Sequence, residues 1–296
     1  MSGTPFLELP GAVAADGADL GTVAHYGVFV AEQRPLAAGR AVVDQGHLGV
    51  LRLDGADRLD WLDSLTSQRV RDLEPGRSAE TLLLDVQGRV EHMIGVLDDG
   101  RSSWLIVERA RLEPLRAWLD RMRFLRDVRV EDASADYGVV ATLGATPQTA
   151  ALIEAAAPAG VPLVWRDPWP GIAPGGVGYW AGAAAEHPGH EWRLELHLLE
   201  RDALERLAGR VREGLVAASG QDALEALRVA AWRPRAAREL DARTIPHELD
   251  LLRSSVHLDK GCYRGQETVA KVHNLGHPPR RLVRLDLDGS LAALPE

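Results

Sequence analysis

The sequence predicts an α+β fold whose first half is a split βαβ, ferredoxin-like module. Three observations carry this reading. Between residues 47 and 131 the apolar pattern runs strand, helix, strands, helix, strand. The alternation resumes, less cleanly, from 137 to 230. No uninterrupted apolar run approaches the roughly 18 residues that cross a bilayer. At 296 residues the chain suits about two domains, each with its own core.

Taken in order, residues 47–53 (HLGVLRL) alternate like a strand and Asp54-Gly55 turns the chain. Asp57 is placed to cap a helix whose Leu59, Leu62 and Leu65 share one face. Residues 81–86 and 89–97 read as strands joined tightly near Gln87-Gly88, with a third strand at 103–108 after Asp99-Gly100. Residues 110–125 carry the stripe Leu112, Leu115, Trp118, Leu119, Met122, and 128–131 close the module as a strand. In the second half, 137–143 and 161–165 read as strands around an alanine-rich helix at 149–157, and 165–178 as a Pro- and Gly-rich loop. Then come a strand at 192–198, a helix at 200–218 and a helix at 221–230 that stops before Pro234. No period wins from 231 to 279, and 281–287 begins a strand. The boundaries expected are a first α+β unit at 20–135, a second at 136–278, and the start of a further β-domain at 279–296.

Composition is that of an ordinary globular protein, 46% hydrophobic and 26% charged. The N-terminus has no basic start leading into an apolar block, and a lone cysteine makes no internal disulfide, so a soluble chain in the reducing cytoplasm is the expectation. A net charge of −9 argues against direct binding of nucleic acid. The charge is uneven, however: residues 228–284 hold 12 Lys and Arg against 6 Asp and Glu. That local basic face suits a small anionic ligand, or is simply a solvated arginine-rich surface. Of 34 basic residues only Lys260 and Lys271 are lysine, which marks them for tasks that need a compact ammonium rather than a planar guanidinium fork.

The segment Lys260-Gly261-Cys262-Tyr263-Arg264-Gly265-Gln266-Glu267 gathers a thiol, flanking cations and two glycines. Cations stabilise a thiolate, and such a sulfur can attack, be oxidised reversibly or accept sulfur or metal. Cys262 can equally be an inert interior cysteine. Gln266 and Glu267 suit the donor and acceptor edge of a heterocycle, or a helix cap. His257, His273 and His277 do not have zinc-site spacing, and neither a phosphate loop nor a G-x-S-x-G elbow is present.

The run KGCYRGQETVAKVHNLGHPPRRLVRL resembles the signature of YgfZ-type proteins in the glycine-cleavage T-protein superfamily. LEALRVAAWRP and TIPHELDLL upstream, and the stretch from HYGVFVAEQRP through DVQGRV, are similar to the same superfamily. The resemblance thus covers about residues 25–287. It implies a T-protein-like fold of interleaved ferredoxin-like units around a central cavity, with the usual C-terminal β-barrel largely missing. It implies tetrahydrofolate binding and an accessory role in making or repairing iron–sulfur proteins, including enzymes that modify tRNA, with an aminomethyltransferase as the alternative. Carried over by motif, Cys262 is the redox or sulfur-handling thiol with Lys260 beside it. Tyr263, Gln266 and Glu267 shape the loop, and Arg228 faces the folate. A monomer without a metal is expected. Three departures stand out. The paired aspartates of the transferases are replaced in Gly88-Arg89-Val90-Glu91-His92-Met93, where Glu91 is a weak substitute. Ala230 and Trp232 replace the family's Glu and Gly, which bears on folate affinity. The barrel is the third.

Overall fold

The computed structural model describes residues 4–283 and 285. In chain order the elements are β1 (Val13–Ala14), β2 (Val23–His25), α1 (Phe29–Ala37), β3 (Ala41–Asp44), β4 (Leu48–Asp54), α2 (Arg58–Leu65), β5 (Ser78–Leu84), β6 (Val90–Asp98), β7 (Ser102–Glu108), α3 (Arg109–Arg121) and β8 (Arg129–Asp132). The second half adds β9 (Tyr137–Leu143), α4 (Pro147–Ala150), β10 (Val164–Arg166), β11 (Leu194–Glu200), α5 (Arg201–Arg212), β12 (Ala217–Ala218), α6 (Gln221–Ala230), α7 (Ala236–Glu239) and α8 (Gln266–Leu275).

Two five-stranded sheets organise these elements. The first has the order β5-β6-β7-β4-β8, antiparallel throughout. This is the ferredoxin-like arrangement of β4, β6, β7 and β8 with β5 added at an edge. Its outer face packs on α2 and α3, where Trp61, Leu62, Leu112, Leu115 and Leu119 meet Leu51, Leu53, Leu105 and Val107. The second sheet has the order β10-β11-β9-β3-β12. Here β3 comes from the N-terminal quarter, runs antiparallel to β9 and parallel to β12, and so interleaves the two halves. The sheets face each other across the largest core, built from Leu82, Trp104, Ile106, Val139, Leu163, Trp165 and Leu198. The fold is mixed α+β, neither sheet closing into a barrel, as expected from the element order.

Several local expectations shift. The alanine-rich segment is helical only over Pro147–Ala150. Beyond it, Ala156 donates to the Leu198 carbonyl and accepts from the Leu163 amide, so pairing with the sheet outweighs alanine's helical preference. The helix expected to run to 218 ends at Arg212, because Ala217–Ala218 leaves it to pair with β3. The stretch expected to be irregular contains α8, whose single buried residue, Val269, leaves no apolar stripe to read. Asp57 precedes α2 but makes no cap hydrogen bond; its carboxylate takes the Asp127 amide at 2.9 Å instead. The strand expected at 281–287 lies mostly outside the described residues, and 281–283 and 285 are not strand. Among the described residues no helix is long and apolar enough to cross a membrane.

Candidate functional site

Between the facing sheets opens a cavity of about 130 Å³, a compact hollow rather than a wide ligand cleft. One wall is apolar and aromatic: Met93 and Gly95 on β6, Ile106 on β7, Trp165, Leu194 and Leu196 from the second sheet, and Trp192 just before β11. Gly95 is a site of close approach, since a Cβ there would lie 3.1 Å from the Trp165 indole. That indole is fixed by donating to the Ala79 carbonyl at 2.7 Å.

The rest of the lining is polar and ordered by charge. Arg233 is buried, donates to Asp167 at 2.8 Å and forks onto Glu80, so one guanidinium ties the first sheet to the segment after β10. Although burial alone disfavours the cation, the two carboxylates hold its pKa above the usual arginine range. Asp167 also accepts from the Trp192 indole at 2.9 Å, so the ion pair and the aromatic wall position one another. Arg235 reaches Glu108 at 2.8 Å and Glu225 at 3.3 Å.

A second buried chain runs through amides. Gln45 donates to Gln221 Oε1 at 2.9 Å, and Gln221 Nε2 then lies 3.1 Å from His47 Nδ1. With the amides so assigned, Nδ1 accepts and the imidazole proton sits on Nε2, which lies 3.9 Å from Glu108. Burial, reinforced by the charge of Arg235, pushes the His47 pKa down to about 3, so the ring is neutral. The cavity therefore presents a neutral N–H donor beside a carboxylate that Arg235 already holds, together with an aromatic wall.

Of the residues singled out in the sequence, only Arg228 lines this cavity. Its guanidinium is already committed, bonded to Glu225 at 2.9 and 3.0 Å, to Glu239 twice at 3.0 Å and to the Arg233 carbonyl at 2.5 Å. An anionic ligand group must compete with two carboxylates for it. Glu91 points away from the cavity and pairs with Arg264 at 2.8 Å, while Met93 takes the cavity-facing place on β6. Ala230 is an exposed helix end. Trp232 adopts a left-handed backbone at φ 55° and packs edge-on to Trp180 in a separate aromatic hollow, outside this cavity's lining.

The KGCYRGQE loop has a different architecture from the one expected. Lys260 is buried, and its ammonium donates to the carbonyls of Asp63, Thr66 and Gln68 at 2.5, 2.7 and 2.9 Å, with the Asp63 carboxylate at 3.5 Å. Three donors on one nitrogen match carbonyls left unpaired around the C-terminus of α2, which explains why lysine rather than arginine stands here. Desolvation lowers its pKa to about 8, opposed by Asp63. Its charge is thus spent on the backbone, and that of Arg264 on Glu91, rather than on the thiol. Cys262 itself is exposed. Tyr263 is buried in the central core, where desolvation raises its phenol pKa, and its ring lies 5.5 Å from the Lys260 ammonium. Gln266 donates to the Lys260 carbonyl at 3.3 Å, and Glu267 is exposed on the first turn of α8. Gly265 sits at φ 82° with the Asp85 carbonyl 2.5 Å from where a Cβ would be, so only glycine lets the loop dock on the β5–β6 hairpin.

The cavity residues that sequence reading missed, Gln45, His47, Glu80, Glu108, Trp165, Asp167, Trp192 and Gln221, lie on elements far apart in the chain. Arg233 and Arg235, in an Arg-Pro-Arg run after α6, were the nearest signal.

A family model described as the GCVT N-terminal domain matches residues 8–161. The chain is similar to the aminomethyltransferase of Synechococcus sp. (strain CC9311), 27% identical over 88% of this chain and 72% of that protein. It is also similar to the aminomethyltransferase of Geobacillus thermodenitrificans (strain NG80-2), 26% identical over 86% and 70%. In structure it resembles the glycine cleavage system aminomethyltransferase T from Bartonella henselae, with a TM-score of 0.68 at 18% identity, covering 93% of this chain and 75% of that one. That likeness bears on the fold.

Proposed function

The chain belongs to the GCVT N-terminal domain family, and from that premise we propose that its inter-sheet cavity binds a tetrahydrofolate and that it carries out aminomethyl transfer to that folate. The observation that carries the reading is that Trp165 and Trp192 line the same cavity as the His47–Glu108 donor and carboxylate. The residues present fit such a group. Trp165 and Trp192 would hold a flat bicyclic ring, and His47 and Glu108 would meet the donor and acceptor of its lactam edge. The bound folate supplies the accepting amine. The protein's part is to hold that ring, exclude water through the apolar wall, and handle protons. Glu108 and the neutral His47 stand 3.9 Å apart on the cavity wall, whereas the paired aspartates of the transferases are replaced along residues 88–93, with Met93 facing the cavity. Calorimetry with tetrahydrofolate tests the binding. Saturable one-to-one heat that falls at least about tenfold in affinity for Trp192→Ala supports it, and no heat with the wild-type chain removes it. Release of ammonia from an aminomethyl donor, dependent on tetrahydrofolate, tests the transfer.

A second reading is a YgfZ-type accessory role for iron–sulfur proteins, including those that modify tRNA, and its supporting observation is the exposed Cys262 thiol. In a deletion strain with low cluster-enzyme activity, full rescue by Cys262→Ala would take the thiol out of that mechanism.

A further inference from the structure

Beside the KGCYRGQE loop, away from the inter-sheet cavity, a second open groove of about 570 Å³ lies between the β5–β6 hairpin, α3 and the segment after α7. Arg111, Pro114, Trp118 and Arg121 line it. At spacings of three, four and three they form one stripe along α3. The two arginines are ten residues apart on that helix, about 15 Å along its axis. Arg89 faces the same groove from the hairpin.

Most arginines of this protein are paired with carboxylates, but the ion pairs among the described residues include none for Arg89, Arg111 or Arg121. Among the described residues Arg111 donates only to the Glu91 carbonyl, at 2.8 Å. The acidic groups of the groove are already satisfied. Glu91 is held by Arg264 and Asp241 by Arg280, while Asp85 accepts the amides of Gln87 and Arg89. Among the described residues, three cations thus face one carboxylate, Asp85, that no other side-chain cation neutralises. The wall also holds His92, buried, with Nδ1 lacking any hydrogen-bond partner. Between the cationic ends the floor is apolar, made by Pro114, Trp118 and Leu240.

We propose that this groove docks an extended acidic peptide segment of a partner protein, with carboxylates at both ends reaching Arg89, Arg111 and Arg121 and an apolar side chain on Trp118. At ~3.3 Å per extended residue, 15 Å spans four or five residues. Arginine forks bind carboxylates in bidentate fashion, and Trp and Arg are the residue types that anchor interfaces. A long nucleic acid is disfavoured, because the −9 net charge of the whole chain repels a polyanion that extends past the groove.

Fluorescence anisotropy of the full chain with fluorescein-labelled Glu-Glu-Leu-Glu-Glu at low salt tests this. Saturable binding is expected, weakening as salt rises and falling about fivefold in Arg121→Gln. The exposed Arg121 makes no hydrogen bond among the described residues, so this variant keeps its fold, and Arg89→Gln is the second. Lys-Lys-Leu-Lys-Lys should not bind. Arg212→Gln, on the exposed end of α5 outside the groove, should leave binding unchanged. No binding of the acidic peptide, an equal loss in Arg212→Gln, or tighter binding of a labelled decathymidylate would each overturn the proposal. None of these outcomes depends on folate.

Discussion

Replacing Arg233 by methionine tests whether the polar wall of the cavity is also what holds the two sheets together. The arginine is buried, forked onto Glu80 and bonded to Asp167 at 2.8 Å, and Glu80 additionally takes the Ser255 hydroxyl. Methionine fills much of the volume but leaves two carboxylates buried without a cation. Removing one partner of a buried pair costs about 3–5 kcal/mol, chiefly from the stranded charge. At roughly 2–4 °C per kcal/mol for units of this size, the melting temperature should fall by about 6–20 °C at pH 7. Stripped of their cation, the carboxylates are relieved by protonation, so the folded variant takes up protons as pH falls and its deficit against wild type narrows by pH 5. Circular dichroism melts at both pH values measure this. Adding Glu80→Gln should restore part of the loss, and the double-mutant cycle reports the coupling. A deficit below about 1 kcal/mol at pH 7, or one that is the same at both pH values, refutes the reasoning.

Three further outcomes follow from the same geometry. Burial depresses the Lys260 ammonium to about 8 from an open-chain 10.5, so between those values the fold binds fewer protons than the unfolded chain and stability rises with pH; Lys260→Met should remove that rise in melts from pH 8 to 10. Met93→Asp places a carboxylate on the cavity face of β6. It should cost about 1–3 kcal/mol of stability and raise tetrahydrofolate-dependent ammonia release at least about tenfold if a carboxylate at that position is what transfer lacks. Cys262→Ala, at an exposed site, should leave the melting temperature within about 0.5 kcal/mol equivalent and tetrahydrofolate affinity unchanged by calorimetry.

The hairpins, α3 and α6 were legible because their periods are set by one buried face, and α6 ends where the sequence places it, at Ala230. Position 260 was legible as an oddity, a lysine in a chain that otherwise uses arginine, but not as an anchor. Its three acceptors are backbone carbonyls nearly two hundred residues away, which carry no side-chain signature. The cavity was illegible for a related reason. Arg233 meets Glu80 across 153 positions and Gln45 meets Gln221 across 176, distances over which a single sequence offers no pattern. The KGCYRGQE run was read as the working centre because its residue types are reactive. In the fold Lys260, Tyr263 and Gly265 serve to seat a loop, while the Cys262 thiol and Glu267 are left facing water.

The place of β3 between β9 and β12 has a consequence for how the chain is made. Its partners include Ala141 and Ala217, the latter 176 positions after Ala41. At roughly 5–20 residues per second, a ribosome needs on the order of 10–35 s to supply that last neighbour. The first sheet, drawn entirely from residues 48–132, can assemble while synthesis continues. The four residues Ala-Val-Val-Asp wait beside it with their backbone unpaired until the later strands emerge.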